Sequence, residues 1–324
     1  MKFITTMAAA LCAVTMPAMA ETIRIGHATP EDSPIHKALL QFKQTVEDRS
    51  EGDITVEIFP GGQIGSVQEM VELVQSGNIT MTTGASVHLS ATVPELGVLD
   101  QFLLFDDETH ARTVLDGAAG DALGKAMESR DLHLVGFMEL GFRSFTNSRA
   151  PLDSLAAFEG LRMRSADNPV QIKAWRAIGA VPVPLAWGEI YSSLQQGLID
   201  GQESALSSMI VERFFEVQDY VSLTGHIYWP ELWMANADWY AGLSEAEREI
   251  IDTAAQETVT LQRELTAEAN AATLAKLEEA GLAVNELPAE DRAEMGAMMN
   301  AAIEADIRGK VGDAVYDQFM SALQ

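Results

Sequence analysis

The chain has 324 residues, and 21 Lys and Arg against 48 Asp and Glu give a formal charge of −27. Such acidity argues against nucleic acid and anionic membrane surfaces as partners. The length left after a leader, about 300 residues, is enough for two compact lobes.

The first twenty residues read as a signal peptide. Lys2 supplies the positive start, Phe3 to Val14 the apolar run, and Ala18-Met19-Ala20 a small-residue cleavage site. The run is too short to span a bilayer. Cleavage is expected after Ala20, which removes Cys12, the single cysteine, and Leu11 before it argues against lipid attachment. The expected product is exported, free of disulfides and located in a Gram-negative periplasm.

Thr22 to Ala28 alternates apolar and polar residues and predicts a strand. Ser33 then caps a helix with Pro34 in its first turn. A second strand spans Ile54 to Phe59 and is followed by Pro60-Gly61-Gly62-Gln63-Ile64-Gly65; Ser66 caps the next helix, and Ile79 to Thr83 returns as a strand. Strand and helix alternation of this kind implies a parallel sheet with crossover helices. A second set begins near Leu134 and runs through Arg143–Asn147, Leu161–Ser165 and Val181–Pro184 to Ile199–Glu203, with helices at Asn168–Ile178 and Gly188–Gln196. Two α/β sets in series predict two lobes with a cleft between them. Ser244 to about Ala280 is rich in Ala, Glu and Leu without proline, and reads as one long helix or two with a kink, longer than one lobe needs.

Catalytic and cofactor signals are missing. The turn Gly61–Gly65 lacks the Lys-Ser/Thr ending of a phosphate loop and the glycine spacing of a dinucleotide site. The six histidines form no His-Glu-x-x-His pair, and no Gly-x-Ser-x-Gly elbow is present. The sequence therefore predicts no enzyme, no metal and no cofactor. His27 ends the first strand and His88 follows the third, where a cleft would open; both are candidate ligand contacts, against the plainer reading of satisfied rim residues.

Gly141 to Glu203 is the richest stretch. Arginines end two predicted strands, at Gly141-Phe142-Arg143 and Leu161-Arg162-Met163-Arg164, ahead of Trp187-Gly188-Glu189-Ile190-Tyr191 and Asp200-Gly201-Gln202-Glu203. Two guanidinium forks and an aromatic face describe a pocket for an organic anion, because Arg matches a carboxylate bidentately.

These motifs, with Pro60–Gly65, Thr224-Gly225-His226 and Leu194 to Glu203, resemble the extracytoplasmic solute receptors of tripartite ATP-independent periplasmic (TRAP) transporters, the DctP-type family. The resemblance implies a two-lobed α/β periplasmic-binding-protein fold with a ligand cleft and a bracing helix. Lobe I would hold residues 21–141 with about 230–269, and lobe II residues 142–229 with about 270–324. It further implies capture of a small organic acid by an arginine clamp and cleft closure, and delivery to the small and large membrane subunits. Alternatives left open are a sulfonate, a uronate or a zwitterionic solute, or service to a sensor instead of a transporter. By resemblance Arg164 is the carboxylate clamp, Arg143 a supporting contact and Trp187 the ring against the ligand. Ser204 stands where the family usually carries an amide-bearing Asn, and Ala28 and Ala85 depart from the sialic-acid and ectoine branches.

Overall fold

A computed structural model describes residues 21–323. The expected leader, its cleavage site and Cys12 lie outside the described residues. Among those described, no helix is long and apolar enough to cross a membrane.

The strands are β1 (Glu21–Gly26), β2 (Ile54–Phe59), β3 (Met81–Ala85), β4 (Leu132–Asn147), β5 (Arg162–Ser165), β6 (Val181–Pro184), β7 (Gly201–Ala205), β8 (Tyr220–Leu223), β9 (Tyr228–Asn236) and β10 (Ala283–Glu286). They pair in the order β2-β1-β3-β9-β4-β7-β5-β6, with β8 against β4 and β10. The parallel set β2-β1-β3 and the parallel set β6-β5-β7 have the same internal order. Between them lie the antiparallel strands β9 and β4. The fold is mixed α/β and two-lobed, as the two predicted sets required.

Strand β4 belongs to both halves. Its first part, Leu132 to Phe142, pairs with β9, and Arg143 to Asn147 pairs with β7 and β8. The sequence reading began a second set near Leu134 and gave Arg143–Asn147 as a member of it, whereas the structure has one strand throughout. Gly141 sits at φ 96°, a left-handed conformation that favours glycine, and the ladder shifts register between Glu139 and Phe142. The strand therefore bends where the halves meet.

Strand β9 is a correction to the sequence reading, which left it out. All nine of its residues are buried, so it has no polar alternation, and Pro230 argues against a strand. Pro230 is tolerated because it faces Glu139 at the register shift, where a ladder bond is already lost.

The long helix is continuous over Glu245–Glu279, about 52 Å at 1.5 Å per residue. Ser244 and Glu247 close a reciprocal capping box at its start, a feature worth about 1 kcal/mol. Its Ile251, Ala254 and Ala255 join the core formed by Ile23, Ile25, Leu39 and Phe42, whereas Leu277 packs with Met209 and Val221. One helix thus contacts both halves. A polar stripe at Gln262, Thr266 and Asn270 faces the bend in β4. Gln262 accepts from Glu139 N at 2.9 Å and donates to Glu139 O at 2.6 Å; Asn270 donates to Leu140 O at 3.2 Å and accepts from Ser207 N at 3.0 Å.

Candidate functional site

Segments following the carboxyl ends of β1, β3, β6 and β7 meet β4, β5 and β9 around a small, partly open cavity. This is where open parallel sheets place their ligands. It is lined by Arg143, Arg164, Trp187 and His88, together with Trp229, Glu231, Thr29, Ser208 and an apolar wall that includes Ala28 and Ala85. A wider groove of about 1400 Å³ continues from it between the turn Gly61–Gly65 and the segment Pro184–Glu189, sharing Val67, His88 and Trp187. The glycine-rich turn faces this mouth.

Arg164 is 1% exposed. Its Nε donates to Leu185 O at 3.1 Å, while Nη2 is buried without a hydrogen-bond partner. The guanidinium carbon stands 5.6 Å from the Trp187 ring centre. Burial, and then repulsion from Arg143 against attraction by Glu203, brings its pKa down to about 10, so it stays cationic at neutral pH. A desolvated cation with a free donor is costly unless an anion completes it.

Arg143 is bonded differently. Its Nε donates to Glu203 Oε2, and its Nη2 donates to Glu203 O at 2.6 Å and Oε1 at 3.1 Å. The guanidinium carbon lies 4.4 Å from the Trp229 ring centre, a cation–π distance. His226 Nε2 is 3.3 Å from the same Glu203 carboxylate, and its Nδ1 meets Thr224 Oγ1 at 2.7 Å. Burial favours protonation of Glu203, but Arg143 and His226 overcome it and hold the carboxyl down to about 2. Arg143 is thus neutralised from behind, which leaves Arg164 as the cation awaiting a partner.

Trp187 Nε1 donates to Glu212 Oε1 at 2.7 Å, which fixes the indole so that its ring faces the cavity. His88 is half-buried, and Gln68 Nε2 donates to its Nδ1 at 3.3 Å. Burial and the two nearby guanidinium groups push its imidazole down to about 3, so it is neutral, and with Nδ1 accepting from Gln68 its Nε2–H is the donor left for a ligand.

The other two sequence candidates stand outside this lining. His27 is fully buried, with Nδ1 3.0 Å from Thr29 Oγ1 and Nε2 3.0 Å from His36 Nδ1. Burial and His36 lower it to about 4, so two neutral rings share one proton. It is Thr29, two residues on, that lines the cavity. Ser204 lies on the face of β7 opposite Glu203, beside Gln202, whose amide donates to Thr146 Oγ1 at 2.9 Å. The Ser204 hydroxyl is buried without a partner.

Glu231, Trp229 and Ser208 were missed by sequence reasoning. Glu231 and Trp229 belong to the unpredicted strand β9, and Ser208 belongs to no motif. The alternation Trp229–Glu231 was the available signal, hidden by Pro230.

A buried guanidinium with a free donor in a pocket at the carboxyl ends of parallel strands is suited to hold an anion. The match to bacterial extracellular solute-binding protein family 7, DctP, covers residues 25–308. The 2,3-diketo-L-gulonate-binding periplasmic protein of Escherichia coli is 34% identical over 265 residues, 82% of this chain and 81% of that protein. The sugar acid binding protein of Advenella mimigardefordensis, solved in complex with galactonate, superposes with a TM-score of 0.89 at 31% identity, covering 94% of this chain and 97% of that one. A TRAP periplasmic solute-binding protein from a Polaromonas species, bound to D-erythronate, gives 0.87 at 30% identity over 93% and 98%. The chain belongs to the DctP family of solute-binding proteins, whose work is binding and not catalysis.

Proposed function

We propose that this protein is the periplasmic receptor of a TRAP transporter, capturing a small hydroxylated carboxylic acid and handing it to the membrane subunits. One observation carries the reading: the buried Arg164 Nη2, without a partner, in the cavity at the carboxyl ends of the parallel strands. Arg164 clamps the carboxylate as a fork, Arg143 supports it with the proton-donor capacity Glu203 leaves, and Trp187 supplies a flat apolar wall. His88, neutral, bonds the ligand's polar atoms. His27 acts through Thr29, and Ser204 through the wall behind the cavity. The sugar acids bound by its relatives support this class of ligand.

Residues 21–141 with about 230–269 form one closing body, and 142–229 with about 270–324 the other, hinged at the bend of β4. Galactonate, D-erythronate and 2,3-diketo-L-gulonate are the probes. Saturation at a hundred times the dissociation constant adds about 2.7 kcal/mol of stability. A thermal-shift screen in which no carboxylic acid stabilises the chain, while neutral or cationic solutes do, overturns the reading. Closure is expected to shrink the radius of gyration measured by small-angle scattering; a saturated receptor with an unchanged radius contradicts it.

Trp187→Phe is expected to weaken ligand affinity by about tenfold or less, since a smaller ring keeps part of the contact and loses the bond to Glu212. Its ligand-induced fluorescence change is expected to fall as well. If both quantities match the wild type, Trp187 is ordinary core.

A further inference from the structure

Glu231 has no evident structural task. It is 6% exposed, lines the cavity, and sits on β9 between Ala85 of β3 and Met138 of β4. Arg143, the cation whose charge it feels, is already bonded to Glu203. Burial pushes its carboxyl up to about 7, with Thr83 and Arg143 opposing. Two residues earlier on the same face, Trp229 presents a buried Nε1 with no partner. A donor without a partner and a carboxyl engaged only by Thr83 therefore stand side by side.

Arg164 lines the same cavity from β5, separated from β9 in the sheet by β4 and β7. A ligand anchored on Arg164 by its carboxylate points its other end toward Trp229 and Glu231. A hydroxyl there donates to Glu231 and accepts from Trp229 Nε1. A second carboxylate there meets the Glu231 carboxyl beside Arg143, a cation whose charge Glu203 already balances, so one of the two carboxyls must take up a proton. We infer that Glu231 and Trp229 form a hydroxyl-reading pole, which admits hydroxylated monocarboxylates and rejects dicarboxylates of the same length. This rests on Arg164 being the anchor. It adds a repulsive element to the pocket, the kind of feature that separates ligands sharing one anchoring group.

The test is calorimetry on the mature chain with three four-carbon probes: D-erythronate, succinate and L-threonine. Wild type is expected to bind D-erythronate at least about thirtyfold tighter than succinate. Glu231→Gln removes the charge but keeps a donor and an acceptor. It is expected to hold D-erythronate within about threefold and to narrow the gap to succinate below about fivefold, mainly by gaining succinate. Glu231→Leu, which can do neither, loses D-erythronate by about tenfold or more. Thermal midpoints report whether each variant is folded. Succinate bound as well as D-erythronate by wild type overturns the inference, as does L-threonine bound more tightly, which makes Glu231 an ammonium site. Binding of none of the three, or an unchanged ratio in Glu231→Gln, also overturns it. Arg164→Ala separates the two levels. If it loses every probe while Glu231→Gln changes nothing, the pole fails and the receptor reading stands. If Arg164→Ala binds D-erythronate like wild type, the anchor itself fails.

Discussion

Arg164→Ala is expected to lower affinity for the acid ligand by roughly 2–5 kcal/mol, about thirty- to several-thousand-fold. The guanidinium is buried, its Nη2 has no partner in the protein, and Arg143 cannot replace it because Glu203 already holds that residue. Truncation leaves the ligand carboxylate desolvated and unpaired. Arg164→Lys is expected to restore part of the loss, since an ammonium is a point charge without the fork. Removing the charge carries a second, opposite expectation. In the ligand-free protein Arg164 is a cation whose desolvation outweighs the attraction of Glu203, so Arg164→Met is expected to leave the thermal midpoint unchanged or higher. Binding lost with stability kept identifies a residue selected for the ligand. A variant that loses both in parallel marks Arg164 as a structural residue, and affinity within threefold of wild type in folded Arg164→Ala refutes the clamp.

Glu203→Gln is expected to do the reverse, costing about 3–5 kcal/mol of folding stability, because it leaves Arg143 buried with its counter-charge gone. Glu203 is 1% exposed and bonds Arg143 through both carboxylate oxygens and its own backbone carbonyl. The pH dependence has a definite sign. Its folded pKa, about 2, lies below the ordinary 4.5, so the ionised carboxylate contributes stability above about pH 4.5. That contribution is lost as the pH falls from there through 2. Urea titrations at pH 7 and pH 3 measure it: the gap between wild type and Glu203→Gln is expected to narrow at the lower pH. An equal gap at both values shows that packing, not charge, holds the pair. Because the variant frees Arg143 toward the cavity, ligand is expected to stabilise it more than it stabilises wild type.

Much of this was legible in the residues. Arg143, Arg164 and Trp187 could be picked as candidates because arginines in short strands after glycine and an aromatic at a helix start are local patterns, and all three line one cavity, although Arg143, expected at a strand end, lies inside β4. Ser33, Ser66 and Ser244 marked helix starts that the structure has, since a cap is decided within one turn. What escaped is decided by contacts distant in sequence. The strand expected at Ile79–Thr83 runs from Met81 to Ala85, and that expected at Ile199–Glu203 runs from Gly201 to Ala205. In both cases the leading isoleucine packs in the core before the ladder begins. The face taken by Ser204 depends on pairing with Ser144, a register that a single sequence does not carry. His27 stands one residue beyond a strand end, where the choice between ligand and His36 rests on a helix that follows. Full burial of β9 erased the periodicity that would have exposed Glu231.

The stripe of Gln262, Thr266 and Asn270 grips the bend of β4 at Glu139 and Leu140, from behind the cavity that Leu140 lines. The closure proposed above would stretch or remake those bonds, so the resting balance between the two shapes would be set on a helix that stands behind the cavity. Apparent affinity scales with the fraction of molecules already able to close. Receptors with identical pockets can therefore differ in sensitivity to a nutrient by changes along this one helix, which lets a cell retune the concentration at which it scavenges without altering what it scavenges.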